Sequence, residues 1–112
     1  MRILVVEDDL HLGRAISRML TDQHAVVLVS GLAHAVQALR DCDVLLTDWH
    51  LGEESGIDLI GLASVCAPQV RCVLMTAATL DAAAVDKVVA YGCRVLRKPF
   101  DAEALAESLR PL

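Results

Sequence analysis

The chain has 112 residues and a formal net charge of −5 at pH 7; 55% of the residues are apolar and only 3% aromatic. This length suits one domain spanning residues 1–112, and the composition excludes disorder while supplying a core of Val, Leu, Ile and Ala. No apolar run nears the roughly 20 residues of a membrane span, "MRILVVEDD" meets acid too early for a signal peptide, and no basic stripe or aromatic platform marks a nucleic-acid surface.

Strand-like and helix-like segments then alternate. "RILVV" (Arg2–Val6) is a short apolar run rich in β-branched residues, the pattern of a buried strand. Leu12, Ala15, Ile16, Met19 and Leu20 follow at three- and four-residue steps and form one helical stripe. "AVVLV" (Ala25–Val29) is a second strand, and a helix from about Leu32 to Arg40 turns Ala35, Val36 and Leu39 inward. "DVLLT" (Asp43–Thr47) is a third strand, and a helix beginning near Gly56 carries Ile57, Leu59, Ile60 and Leu62. After "VRCVLM" (Val70–Met75) comes "DAAAVDKVVAYG", with Asp81 as N-cap and Gly92 just past the end. "RVLR" (Arg94–Arg97) is the last strand, and "DAEALAESLR" starts a helix on Asp101 shortly after Pro99. Because the strand runs are continuous rather than alternating, both faces are expected to be buried. Cys42, Cys66, Cys72 and Cys93 form no CxxC pair and read as reduced thiols packed as small hydrophobes.

Five β-then-α units predict an α/β fold: a flavodoxin-like, doubly wound, five-stranded parallel sheet of order 2-1-3-4-5 with five helices and right-handed crossovers. Ligands in such sheets bind beyond the carboxyl ends of the strands. Strand one ends in Glu7, Asp8 and Asp9, strand three in Asp48, strand four in Thr76 and strand five in Lys98. Each residue alone has an ordinary explanation: Asp9 as a helix cap, Asp48 as a turn residue, Thr76 as a strand end, Lys98 as a solvated cation. Their joint arrival at one rim does not. Two carboxylates about 4 Å apart repel by roughly 4 kcal/mol at an effective dielectric near 20, so Asp8, Asp48 and Glu7 together need a cation or a raised pKa. Their hard oxygens favour Mg²⁺, with Mn²⁺ next, over zinc. A lysine and a hydroxyl beside such an ion suit a phosphoryl group, with Asp48 as the nucleophile that forms an aspartyl phosphate.

The sequence here resembles the receiver domain of bacterial two-component response regulators over nearly its whole length. "ILVVEDD" is similar to that family's first strand and acid pocket, "LLTDWHLGEESG" to its phosphoacceptor strand and loop, "VLMTAA" to its fourth strand, and "LRKPF" to its Lys-Pro signature. The resemblance implies that Asp48 accepts a phosphoryl group from a sensor histidine kinase or small phosphodonor. It further implies that Asp8 and Asp48 ligate Mg²⁺ with the backbone carbonyl of His50, and that Glu7 acts through water. Thr76, the Ala77 amide and Lys98 would hold the phosphoryl oxygens. The Lys98–Pro99 peptide is expected to be cis. The implied protein is cytoplasmic and makes no contact with nucleic acid or membrane through this chain. It catalyses only its own phosphorylation and dephosphorylation, and serves an output domain or protein. A homodimer through the helix 4–strand 5–helix 5 face is part of the same expectation.

Three departures stand out. Gly52 takes a place where the family often has proline, which predicts a looser loop. Val95 takes the place of an aromatic three residues before Lys98, and "YGCRVLRKPF" is one residue shorter than the common spacing. The rival readings are a degenerate receiver used only for docking, a haloacid-dehalogenase-like phosphatase and a cobalamin-binding module. The phosphatase would need an aspartate where His50 stands, and the cobalamin loop would need its glycine one residue later than Gly52.

Overall fold

Strands and helices alternate in a computed structural model that describes residues 1–111. Their order is β1 (Arg2–Val6), α1 (Leu10–Leu20), β2 (Ala25–Val29), α2 (Leu32–Ala38), a 3-10 turn (Leu39–Asp41), β3 (Val44–Asp48), β4 (His50–Leu51), β5 (Glu54–Ser55), α3 (Gly56–Cys66), β6 (Arg71–Thr76), α4 (Ala82–Tyr91), β7 (Arg94–Arg97) and α5 (Ala102–Leu109). The five longer strands pair in parallel in the order β2-β1-β3-β6-β7. This is the expected 2-1-3-4-5 order once the short strands are set aside. β4 and β5 form a separate antiparallel ribbon that the sequence did not announce.

The period of two along each strand divides the core between the faces of the sheet. Leu4, Val6, Leu45 and Leu74 face one side and pack with Ala35 of α2, Leu59 and Ile60 of α3 and Ala84 of α4. Ile3, Val5, Leu46 and Met75 face the other and pack with Ile16 of α1 and Leu105 of α5. Three helices therefore cover one face and two the other, as double winding requires.

Several expectations need correction. Burial on both faces holds for β1 and β3, but β2 and β7 lie at the edges with one neighbour each, and Val27 of β2 is 54% exposed. Val36 and Met19, assigned to the inward stripes, are exposed. α2 is seven residues long and buries only Ala35, while Leu39 reaches the core from the 3-10 turn. Of the four thiols, Cys42, Cys72 and Cys93 pack into the core but Cys66 is exposed. β3 and β6 each begin and end one residue later than expected. Among the described residues no helix is long and apolar enough to cross a membrane.

Candidate functional site: an acidic pocket at the strand ends

Parallel register carries the site residues to one rim. Val6 lies opposite Thr47, Asp48 opposite Met75, and Thr76 opposite Arg97. The residues that follow β1 and β7, and those that close β3 and β6, therefore share the carboxyl end of the sheet.

Oxygen atoms of Glu7, Asp8 and Asp48 all lie within 4.8 Å of one another. Lys98 reaches into this cluster: its Nζ is 3.0 Å from Glu7 Oε2 and 3.2 Å from Asp48 Oδ1. Glu7 is 1% exposed, and both its oxygens are engaged, Oε1 accepting from the Asp9 amide at 3.2 Å and Oε2 from Lys98. Burial raises its pKa, the hydrogen bond from Lys98 lowers it, and the Asp48 charge raises it again; the net result is about 7, against an ordinary 4.5. Burial works against the Lys98 ammonium, but the hydrogen bond to Glu7 and the charges of Asp48 and Glu7 outweigh it and raise its pKa. One ammonium thus pairs with two of three clustered carboxyl groups, Asp8 remaining outside its reach, in a set of hard oxygens. That donor chemistry and spacing fit Mg²⁺, whose ligand oxygens stand 2.0–2.1 Å from the ion.

Local structure explains the placement. Asp9 caps α1, its Oδ1 accepting from the amides of His11 and Leu12 at 3.0 and 3.2 Å, so the chain turns directly after Asp8. Asp8 Oδ2 accepts from the Gly52 amide at 3.0 Å. Gly52 has φ +65° and opens the two-residue turn between β4 and β5, a conformation closed to proline. The loop forms a paired ribbon tied to Asp8.

Gly56 begins α3 against the acceptor strand. Its amide donates to the Trp49 carbonyl at 2.7 Å, and a Cβ there would stand 1.9 Å from the Asp48 carbonyl oxygen and 2.8 Å from Thr47 Oγ1. Thr47 itself, unremarked in the sequence, is fully buried, and its hydroxyl donates to the Asp48 carbonyl at 3.0 Å. A hydroxyl in an apolar strand was the only signal for it.

Asp8, Asp48, Glu7 and Lys98 therefore meet as expected. Thr76 lies at the rim, but its buried hydroxyl turns into its own loop, donating to the Ala78 carbonyl at 2.9 Å and accepting from the Ala78 amide at 3.0 Å. Ala77, between them, is exposed. His50 opens the ribbon, where it pairs with Ser55, and its ring stacks on Trp49 with centroids 4.5 Å apart. The Lys98–Pro99 peptide is cis.

A doubly wound sheet with an acid pocket and a lysine at the carboxyl ends of its strands defines a class of small flavodoxin-like α/β domain. The family model described as "Response regulator receiver domain" matches residues 3–110. The chain belongs to that family. It is 32% identical over 107 residues to the alginate biosynthesis transcriptional regulatory protein AlgB of Pseudomonas aeruginosa, an alignment covering 93% of this chain and 24% of that protein. The chain thus spans about a quarter of the length of the curated relatives it matches. Among solved structures it resembles a CheY-like response regulator receiver domain protein from Methanospirillum hungatei JF-1, with TM-score 0.88, 19% identity, and 96% of this chain and 89% of that one covered. It also resembles a response regulator protein from Burkholderia pseudomallei with a phosphorylated aspartic acid, calcium ion and citrate, with TM-score 0.86, 24% identity, and 97% of this chain and 66% of that one covered.

Proposed function

We propose that this domain accepts a phosphoryl group on Asp48 from a sensor histidine kinase or a small phosphodonor, and so relays a signal to an output domain or protein. The observation that carries this reading is the Lys98 ammonium between Glu7 and Asp48 inside a cluster of three carboxylates. The Burkholderia relative in fold, with its phosphorylated aspartic acid and calcium ion, supports it by analogy.

In the proposed reaction an Asp48 carboxylate oxygen attacks phosphorus, the new O–P bond forms, and the bond to the donor's leaving group breaks. Lys98 holds Oδ1, which leaves Oδ2 as the attacking atom. Asp8, Asp48 and the His50 carbonyl would hold Mg²⁺, or Mn²⁺ in its place; when bound, the ion neutralises charge on the transferring phosphoryl oxygens. Glu7, with both oxygens already engaged, acts through water. Phosphorylation adds about −1.5 to −2 charges. Lys98 then shifts toward the new oxygens, the Ala77 amide donates to them, and the Thr76 hydroxyl exchanges its Ala78 partners for them. Movement of α4 and β7 follows as a population shift. Val89 and Val95, both exposed, lie on the α4–β7–α5 face that would meet a partner or a second copy. The reaction is self-modification rather than turnover, and it takes place in the cytoplasm.

Acetyl phosphate with Mg²⁺ tests the reading. The wild-type chain gains one phosphoryl group by intact mass, chelation of the metal prevents it, and Asp48→Asn gains none. Equal labelling of Asp48→Asn excludes Asp48 as acceptor, and a wild type that is never labelled is a docking module only.

A further inference from the structure

At the opposite end of the sheet, where β3, β6 and β7 begin, lies a cavity of about 360 Å³, within the size range of small-molecule sites. Ser64, Pro68, Cys72 and Tyr91 line it with surface open to it, backed by the almost fully buried Val44, Ile60, Val73 and Leu109. Three guanidinium groups line it, Arg71, Arg94 and Arg110, and none of its lining residues is acidic, in a chain of net charge −5.

The plain explanation for arginines here is helix capping. α3, α4 and α5 all end at this rim, and their carbonyl ends attract cations. That accounts for one of the three, and an ion pair holds a second. Arg94 Nη1 donates to the carbonyls of Glu107 and Ser108, each at 3.0 Å, and Arg110 pairs with Glu107 at 2.9 Å. Arg71 is different. It sits half-buried on β6 and makes no ion pair among the described residues. Its Nη2 lies 2.8 Å from the Met1 thioether sulfur, a weak acceptor, and the nearby Asp43 is already held by Arg2. A guanidinium with no carboxylate within ion-pair distance among the described residues, lining the same cavity as Arg94, whose guanidinium meets only carbonyl oxygens, has the donor set for a planar anion.

We infer that this cavity binds a small organic anion, a carboxylate or phosphate ester, with its charged head on Arg71 and its body against Pro68, Cys72 and Tyr91. Nothing in the inference depends on phosphorylation of Asp48. The test uses a fluorescent anionic probe, anilinonaphthalene sulfonate, and its uncharged analogue phenylnaphthylamine, titrated into the full chain. The sulfonate binds saturably and more tightly than the uncharged dye. Arg71→Gln weakens the sulfonate at least about tenfold, the loss of one charge-assisted interaction. Ser64→Phe, which fills the rim from the exposed side of α3, abolishes binding while circular dichroism stays native, and Asp48→Asn leaves it unchanged. Absence of saturable binding, equal affinity for the two dyes, or an Arg71→Gln variant that binds as wild type overturns the inference.

Discussion

Burial of Glu7 against Lys98 ties the acidic pocket to the stability of the whole domain. Its carboxyl has a folded-state pKa of about 7 against an ordinary 4.5, so between those values the unfolded chain has released a proton that the folded chain keeps. Stability of the metal-free domain therefore falls as pH rises through that window, by up to about 3 kcal/mol from this group; below 4.5 the group contributes no pH dependence. Glu7→Gln removes the effect. Urea unfolding at pH 5 and pH 8 is expected to show a larger drop in wild type than in the variant, and equal drops would contradict the assignment. Gly56 makes a second demand at this scale. A methyl group 1.9 Å from the Asp48 carbonyl oxygen cannot be accommodated without moving the acceptor strand or the start of α3. Gly56→Ala is expected to destabilise by about 1–3 kcal/mol or more and to slow phosphorylation, whereas a variant with wild-type unfolding would show that the approach relaxes freely. Asp8, Asp48 and Lys98 were legible because their chemistry is carried by residue type at strand ends. The Thr76 hydroxyl was not, because its direction is set by a loop bond to Ala78, which no residue type announces.

Among the helices, α4 is held lightly: of its ten residues only Ala84 is buried. Its ends carry the burden instead, with Asp81 accepting from the Ala84 amide at 2.8 Å and Gly92 in the left-handed conformation. Asp81→Ala is expected to cost about 1 kcal/mol and to raise amide exchange in α4 ahead of α3. Uniform exchange across both helices would show that α4 opens only with the whole fold. It leads through Gly92 directly into β7, the strand that carries Val95. Caps at Asp9, Asp81 and Asp101 were readable as side-chain types at the right places, and all three accept the expected amides. The β4–β5 ribbon was not readable, since four paired residues are too few to show any periodicity.

At the scale of the whole molecule, the strand order followed from alternation alone, because parallel pairing with right-handed crossovers leaves few arrangements. Burial at the margins did not follow: Val27 belongs to a run as apolar as that of β1, and its place on an edge strand exposes it. The same parallel order brings Glu7, Asp48 and Lys98, from three separate strand ends, into contact across the sheet. Fluorine NMR of the chain with beryllofluoride, a phosphoryl mimic, and Mg²⁺ tests that assembly as a unit. A bound fluoride resonance is predicted for wild type, lost on metal chelation and absent in Asp48→Asn; no bound resonance in wild type, or one that persists in Asp48→Asn, would contradict it.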